Sequence, residues 1–511
     1  MAATVPAKIF YNTVAQSLGK IFAAGIGLVT IAILSQYLGE NGFGGYSTVI
    51  AFLGVFVVLA DFGLYLYVVR EISKPGIDSA KVISNALGLR LTVALASLLA
   101  GAAIAWFLPY DRAVKEAIFV CVLAFLFISL NQVLVGIFQK HLAQYLLVIS
   151  ETIGRAVHLI LVMLFIKNSL SLGYFIAALL AGNIATFALT VMWARKYERF
   201  TIAFDFGFWK EILKNTWPLI FAVVLNLLYF KTDTVILSWF RPQEAVGVYS
   251  LPYKILEGLL AFPAMFVGLV MPLLSRSAFN NWGEFKTTIQ RSFDALFLMA
   301  ALAVIIIMNF AREIIAFMKN VGVFFAQKAG GVETAPAYAD SADLLRILIL
   351  SAGTIFLGTL FGYAVVALGQ QRAMIKGYLA GAIAGLVLYF LLIPPFGYWG
   401  AAWGTLISEI IVAGFAYLLV RKTSGQKISL SIILLTLPAI IGLVLFFQFV
   451  NIQWMVEIAL GIILYIILLI MFRAIPESFV KEIFRTPPPR PPAGTSPKRS
   501  RAGEEGGGGR S

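Results

Sequence analysis

Cysteine and histidine are nearly missing from this chain, and charge is scarce. Its one cysteine, Cys121, stands within an apolar run, so neither a disulfide framework nor a thiolate metal site can be assembled. It reads as a small buried hydrophobe. The two histidines, His141 and His158, are too few for a metal centre without carboxylate help, and no metal or cofactor is read from the sequence. Charged residues make up only 13% of the 511 positions, against 60% hydrophobic, and the mean hydropathy is +0.91. A water-soluble domain needs roughly a quarter of its residues charged. That balance excludes a soluble enzyme or a soluble binding module.

Long apolar runs are what the chain does have. Fourteen stretches read as membrane-crossing helices, at 12–38, 46–69, 82–108, 116–138, 142–166, 170–193, 217–240, 246–274, 288–310, 344–368, 373–393, 399–420, 428–449 and 454–472. Each can span ~30 Å of hydrocarbon at ~1.5 Å per residue. The runs are continuous rather than alternating, which favours helices over a membrane barrel. The first run, about Asn12 to Leu38, is too long for a signal-peptide core and is read as the first span. The fold class is therefore all-α integral membrane with about 14 transmembrane helices.

Lysine and arginine set the orientation. With the N-terminus in the cytoplasm, cytoplasmic segments carry most of the 39 basic residues, among them Arg195, Lys196, Arg199, Lys210 and Lys214 in one loop. External loops hold far fewer, and three of these lie in the long 311–343 connection, Arg312, Lys319 and Lys328. This is the asymmetry of a positive-inside protein. Both termini are expected in the cytoplasm, and the net charge of +14 faces anionic lipid rather than nucleic acid.

An offset of 203 residues brings the chain into register with itself. Asn12-Thr13 falls on Asn215-Thr216, Ile33-Leu34-Ser35 on Ile236-Leu237-Ser238, and Gly44-x-Tyr46-Ser47 on Gly247-x-Tyr249-Ser250. Six spans separate the copies, so both start on the same side of the membrane. A parallel repeat follows, with two six-helix lobes at 1–200 and 201–422 related by a pseudo-two-fold axis along the membrane normal. Two appended helices (423–475) come next, then a cytoplasmic tail (476–511). The tail, rich in Pro, Gly and Arg after a short amphipathic stretch, is expected to be disordered and dispensable.

Three stretches carry a family resemblance: LGENGFGGYSTVIAFLGVFVVLADFGL at 38–64, TDTVILSWFRPQEAVGVYSLPYKILEGLLAFP at 232–263, and LLIPPFGYWGAAWGTLISEI at 391–410. They resemble the oligosaccharide flippases of polysaccharide export, the O-antigen-flippase-like family. That family sits in a larger superfamily with the multidrug and toxin exporters and the lipid II flippase. The resemblance implies a transporter, not an enzyme, that carries a polyprenyl-pyrophosphate-linked oligosaccharide across the cell membrane by alternating access. It implies a lipid-linked oligosaccharide as substrate and membrane lipids as surroundings. Glycosyltransferases or a polymerase of the same pathway are expected as neighbours, and the chain is expected to act as a monomer. Alternatives are a cation-coupled multidrug antiporter, a lipid II flippase and, more remotely, a membrane saccharide polymerase or ligase. The polymerase lacks support because the longest external segment, 311–343, contains no histidine.

The same stretches have a local reading. Gly42, Gly44 and Gly45 are expected to permit the turn between the first two spans. Pro252 and Pro263 are expected to kink the eighth span, and Pro394, Pro395 and Gly397 to break the chain between the eleventh and twelfth.

Ionisable residues inside spans are the candidate site, because each costs roughly 3 kcal/mol at the bilayer centre and needs a cavity or a partner. The cations are Lys231, Lys20, Arg155, Arg90 and Lys254. They suit the phosphates of a lipid-linked substrate. The acids are Asp61, Asp233, Glu151, Glu257 and Glu409, read as cavity acids open to ion coupling. Spacing makes Glu151–Arg155 and Lys254–Glu257 self-neutralising pairs. Lys231 and Asp233 point to roughly opposite faces and need other partners.

Overall fold

A computed structural model of the chain describes residues 5–59, 63–74, 76–330, 338–425 and 427–474, without the side chains of 5–15, 17, 18, 66, 215–231, 279 and 280. Among the described residues the chain is helical from end to end. It runs through α1 (Val5–Leu59), α2 (Leu64–Ile72), α3 (Ser79–Phe107), α4 (Arg112–Lys140) and α5 (Gln144–Lys167). There follow α6 (Leu172–Ala194), α7 (Phe206–Phe240), α8 (Gln243–Leu259), α9 (Ala261–Asn280) and α10 (Trp282–Lys328). The last are α11 (Ser341–Ala367), α12 (Gln371–Phe396), α13 (Tyr398–Ser424), α14 (Ser431–Phe449) and α15 (Trp454–Met471).

Twelve candidate membrane spans lie among the described residues. The difference from fourteen has two sources. The α1 helix holds the first two expected spans as arms on either side of Gly39, and the seventh falls in α7, whose middle side chains are outside the described set. The tail beyond 474 lies outside the described residues.

Polar caps start two of the helices, α7 eleven residues before its expected edge. Asp78 accepts from the Lys81 amide at 3.1 Å to begin α3, and Asp205 accepts from Phe208 at 3.0 Å to begin α7. Gly397, at φ +58, separates α12 from α13 directly after Pro394 and Pro395, as the sequence implies. Pro252 lies inside α8, while Pro263 sits in the first turn of α9, where a missing N–H costs nothing.

Two expectations are corrected. The turn between the first two spans belongs to Gly39, whose φ of +68 is the left-handed geometry glycine tolerates. Gly42, Gly44 and Gly45 are helical. The 311–343 segment is not a loop over its first half, because α10 bends at Phe310 and continues to Lys328. Ala311, Ile315, Met318, Gly322 and Ala326 are its buried stripe, at helical spacing. A Cβ on Gly322 would strike the Ala32 carbonyl oxygen of α1. Its exposed face mixes the charged Arg312 and Lys328 with Phe317 and Phe324.

Connections gather at two ends of the bundle. At one end, Tyr110 before α4 bonds Ser238 at 3.0 Å and accepts from the Trp239 indole at 2.9 Å, while Thr48 donates to Gln243 at 2.7 Å. The Tyr338 amide donates to Glu40 at 2.8 Å at the same end. At the other, the Ala203 amide donates to the Ser84 carbonyl at 3.1 Å and Lys140 pairs with Glu198 at 2.7 Å. From the connection between α2 and α3 to that between α7 and α8, successive connections therefore alternate ends.

Candidate functional site

Small residues let α1 and α8 approach to backbone contact. A Cβ on Gly44 would collide with the Gln243 carbonyl oxygen and lie 3.0 Å from the Gly247 nitrogen; a Cβ on Gly247 would collide with the Glu40 carbonyl oxygen. Glu40 and Gln243 are themselves 203 residues apart, as are Gly44 and Gly247. The repeat read from the sequence thus makes one contact twice, once in each direction.

Close to this contact lies a polar knot. Asp233 on α7 is buried and accepts from the Tyr249 hydroxyl of α8 at 2.7 Å and from Thr405 of α13 at 3.3 Å. Tyr389 of α12 meets Thr405 at 3.2 Å. These are the partners that spacing alone could not give Asp233. Lys254 and Glu257 form the expected ion pair, at 2.8 Å, and line a narrow crevice with Ser47, Thr234 and Tyr253.

Glu151 and Arg155 do not pair with each other among the described residues. The Arg155 guanidinium instead crosses to α1, where it donates to the Ala23 carbonyl at 3.3 Å over the bare face of Gly27. Helical spacing makes the pair possible, but a second acceptor on a neighbouring helix wins. Both side chains line a cavity of about 330 Å³ between α4, α5 and α6. Arg90 is buried at 1% exposure, donating to the Ser129 carbonyl at 3.3 Å and to Gln132 at 2.7 Å. Lys20 is exposed on the first arm of α1. Asp61 and the side chain of Lys231 lie outside the described residues.

Glu409 is buried on α13 and lines a cavity of about 350 Å³ with Tyr363 and Tyr378. A larger space of about 750 Å³, lined almost wholly by apolar side chains such as Phe293, Leu357 and Ile440, lies between α10, α11, α13 and α14. The bundle thus combines cationic and mixed polar side chains near α1 and α5 with a roomy apolar cavity near the appended helices. Sequence reasoning missed Tyr249 and Thr405 as partners of Asp233, Tyr389 as a partner of Thr405, and Asn131 and Asn183 of the α4–α6 cavity. Their signal was neutral polar side chains at mid-span, which a search for charges passes over.

Residues 9–278 match the sequence family described as "Polysaccharide biosynthesis protein". The chain belongs to that family. It is 23% identical over 501 residues to the "Probable low-salt glycan biosynthesis flippase Agl15" of Haloferax volcanii, an alignment covering 92% of this chain and 98% of the relative. Among solved structures, the family member shares its fold with the lipid II flippase MurJ in an inward closed conformation. The TM-score is 0.72 at 15% identity, over 92% of this chain and all of that one. An inward-facing multidrug resistance transporter of the MATE family matches at TM-score 0.61 and 15% identity, over 81% of this chain and 98% of that one. The likeness shows an all-α multi-pass membrane transporter fold.

Proposed function

We propose that this family member is a flippase that moves a lipid-linked oligosaccharide, with a pyrophosphate-type linkage, across the cell membrane for surface glycan synthesis. The observation that carries the reading is the near full-length alignment with a relative named for glycan flipping. The drug exporters are matched in fold. The site supports it chemically. Lys20 on α1 and Arg155 on α5 offer cations to phosphate, with Lys231 on α7 as a third. The apolar cavity beside α14 offers room for a polyprenyl chain.

In this reading residues 1–200 and 201–422 act as two lobes that rock about the glycine contact, and helices α14 and α15 are an appendage. The end where Gly44 meets Gly247 is external and closed, and the cavity cations are open to the cytoplasm. Both termini are cytoplasmic, the protein acts as a transporter rather than an enzyme, and the chain works as a monomer. Asp233 and Glu409 are the acids placed to couple an ion. Lipid II is the second substrate to consider, because the fold match to its flippase is long.

The test is flipping of a fluorescent polyprenyl diphosphate bearing N-acetylglucosamine in proteoliposomes, read by reduction of the externally exposed label. Wild type is expected to flip it, and Lys231→Ala and Arg155→Ala to lose most of the rate while melting normally. Preferential transport of lipid II would move the assignment to the second substrate. Efflux of a cationic dye with no lipid flipping would refute the proposal.

A further inference from the structure

Apart from Arg155, the lining of the α4–α6 cavity is left unused by the phosphate-and-lipid reading. Gly154 of α5 and Gly182 of α6 bring the two backbones into contact: a Cβ on Gly182 would lie 2.7 Å from the Gly154 carbonyl oxygen and 3.0 Å from the His158 Cβ. This crossing sets His158 beside Asn183, and α4 supplies Asn131 opposite them. Among the described residues, His158 Nε2, Asn131 Oδ1 and Asn183 Nδ2 are buried and have no hydrogen-bond partner. Three such groups around one cavity are unusual, since buried polar atoms are nearly always satisfied.

The lining discriminates among occupants. Glu151 and Arg155 put opposite charges in one wall, and the Arg155 guanidinium is drawn toward Ala23 of α1, so the interior of the cavity favours neither a bare cation nor a bare anion. A neutral ligand that both donates and accepts fits the mixture of amide, imidazole, guanidinium and carboxylate. Phe127 adds a ring face to the wall, buttressed by Phe187 at 5.4 Å between centroids. Flat aromatic surface beside planar hydrogen-bonding side chains suits a pyranose, which has an apolar C–H face and an equator of hydroxyls. The volume, about 330 Å³, lies at the lower end of the ~300–1,000 Å³ usual for small-ligand sites, room for one sugar ring rather than a chain.

We infer that this cavity is a monosaccharide subsite, which reads one ring of the transported glycan through Asn131, His158, Asn183 and Phe127. The inference rests on the flippase reading for its biological sense, though the site is testable alone.

The probes are methyl glycosides of glucose, galactose and N-acetylglucosamine, added to the full-length protein in nanodiscs and observed by saturation-transfer NMR. At least one glycoside is expected to show ring-proton saturation. Asn183→Leu and His158→Leu are expected to weaken its binding about tenfold, as loss of a buried hydrogen bond would. His158→Gln, which keeps a donor and an acceptor, retains it, and this guards against a merely misfolded leucine variant. Absence of saturation from every glycoside, or saturation indifferent to these substitutions, overturns the subsite and leaves a cavity filled by water. If glycosides bind but the lipid-linked probe is not flipped, the flippase reading fails and the subsite stands. If the lipid flips and no glycoside binds, the reverse holds.

Discussion

The hydroxyl of Tyr249 donates to the buried carboxylate of Asp233 at 2.7 Å, binding α8 to α7 at the point where Thr405 brings in α13. One carboxylate therefore joins helices from three places in the sequence. Removing a donor to a buried charge costs about 1.5–3 kcal/mol. Tyr249→Phe is expected to lower the melting temperature in nanodiscs, and Asp233→Ala to lower it further by removing the carboxylate that Tyr249, Thr405 and Thr234 all bond. The double variant should cost less than the sum of the two, the sign of direct coupling. Strict additivity would show that the bond contributes nothing.

The glycine contact between α1 and α8 admits no side chain. Gly247→Val is expected to force the two helices apart at that end and to reduce flipping at least tenfold. Thr48, buried beside Gln243, supplies the readout. In a Cys121→Ser background, a cysteine at Thr48 should resist a water-soluble maleimide in the parent and react in the Gly247→Val variant. Equal labelling in both would mean that the contact does not hold this end shut.

Glu198, in the turn after α6, reports on acid stability. Partial burial pushes its carboxyl up, but hydrogen bonds and charge from Lys140 and His141 outweigh that and leave it below the ordinary glutamate value. A depressed folded-state value means stability that is present above the unfolded value of ~4.3 and lost as pH falls through the folded one. Wild type should therefore melt higher than Glu198→Gln at pH 6, with the two curves converging below pH 4. The gap will be small, of order 1 kcal/mol or less, because the pair is part-exposed. A constant gap from pH 6 to pH 3 would remove the ion pair as its cause.

Topology is open to the same labelling chemistry. Cysteines at Lys196 and Lys427 should react from the cytoplasmic side, and one at Asp111 from outside. Lys196 and Asp111 reacting from the same side would contradict the alternation of the connections between α2 and α8.

Much of this architecture is legible in the sequence because the bilayer imposes one strong rule, an apolar run of fixed length for each crossing. Pro394, Pro395 and Gly397 marked a break for the same local reason that the chain obeys. Where tertiary packing decides, sequence spacing failed. Arg155 had Glu151 one turn away and chose the Ala23 carbonyl, because Gly27 leaves room for a guanidinium that no periodicity reveals. The turn assigned to Gly42, Gly44 and Gly45 belongs to Gly39, since a glycine needed for φ and one needed for closeness look identical in a sequence. The helix after Phe310 escaped notice because its buried stripe is narrow and Arg312, Glu313 and Lys319 interrupt the apolar run. Asn131, His158 and Asn183 were invisible as a group, being 27 and 25 residues apart along the chain and joined only by the Gly154–Gly182 crossing.

The reciprocity of Gly44 and Gly247 also speaks to descent. A surface in which residue i touches j and j touches i is the mark of an isologous homodimer. Here both partners sit in one chain, 203 residues apart, in contacts through Glu40 and Gln243 that mirror each other. Duplication and fusion of a gene whose product already paired with itself through this glycine would leave such an arrangement. Fusion then frees the halves to diverge. The position of Asp233 in one copy is Thr30 in the other, so the carboxylate that ties three helices together would belong to one half alone.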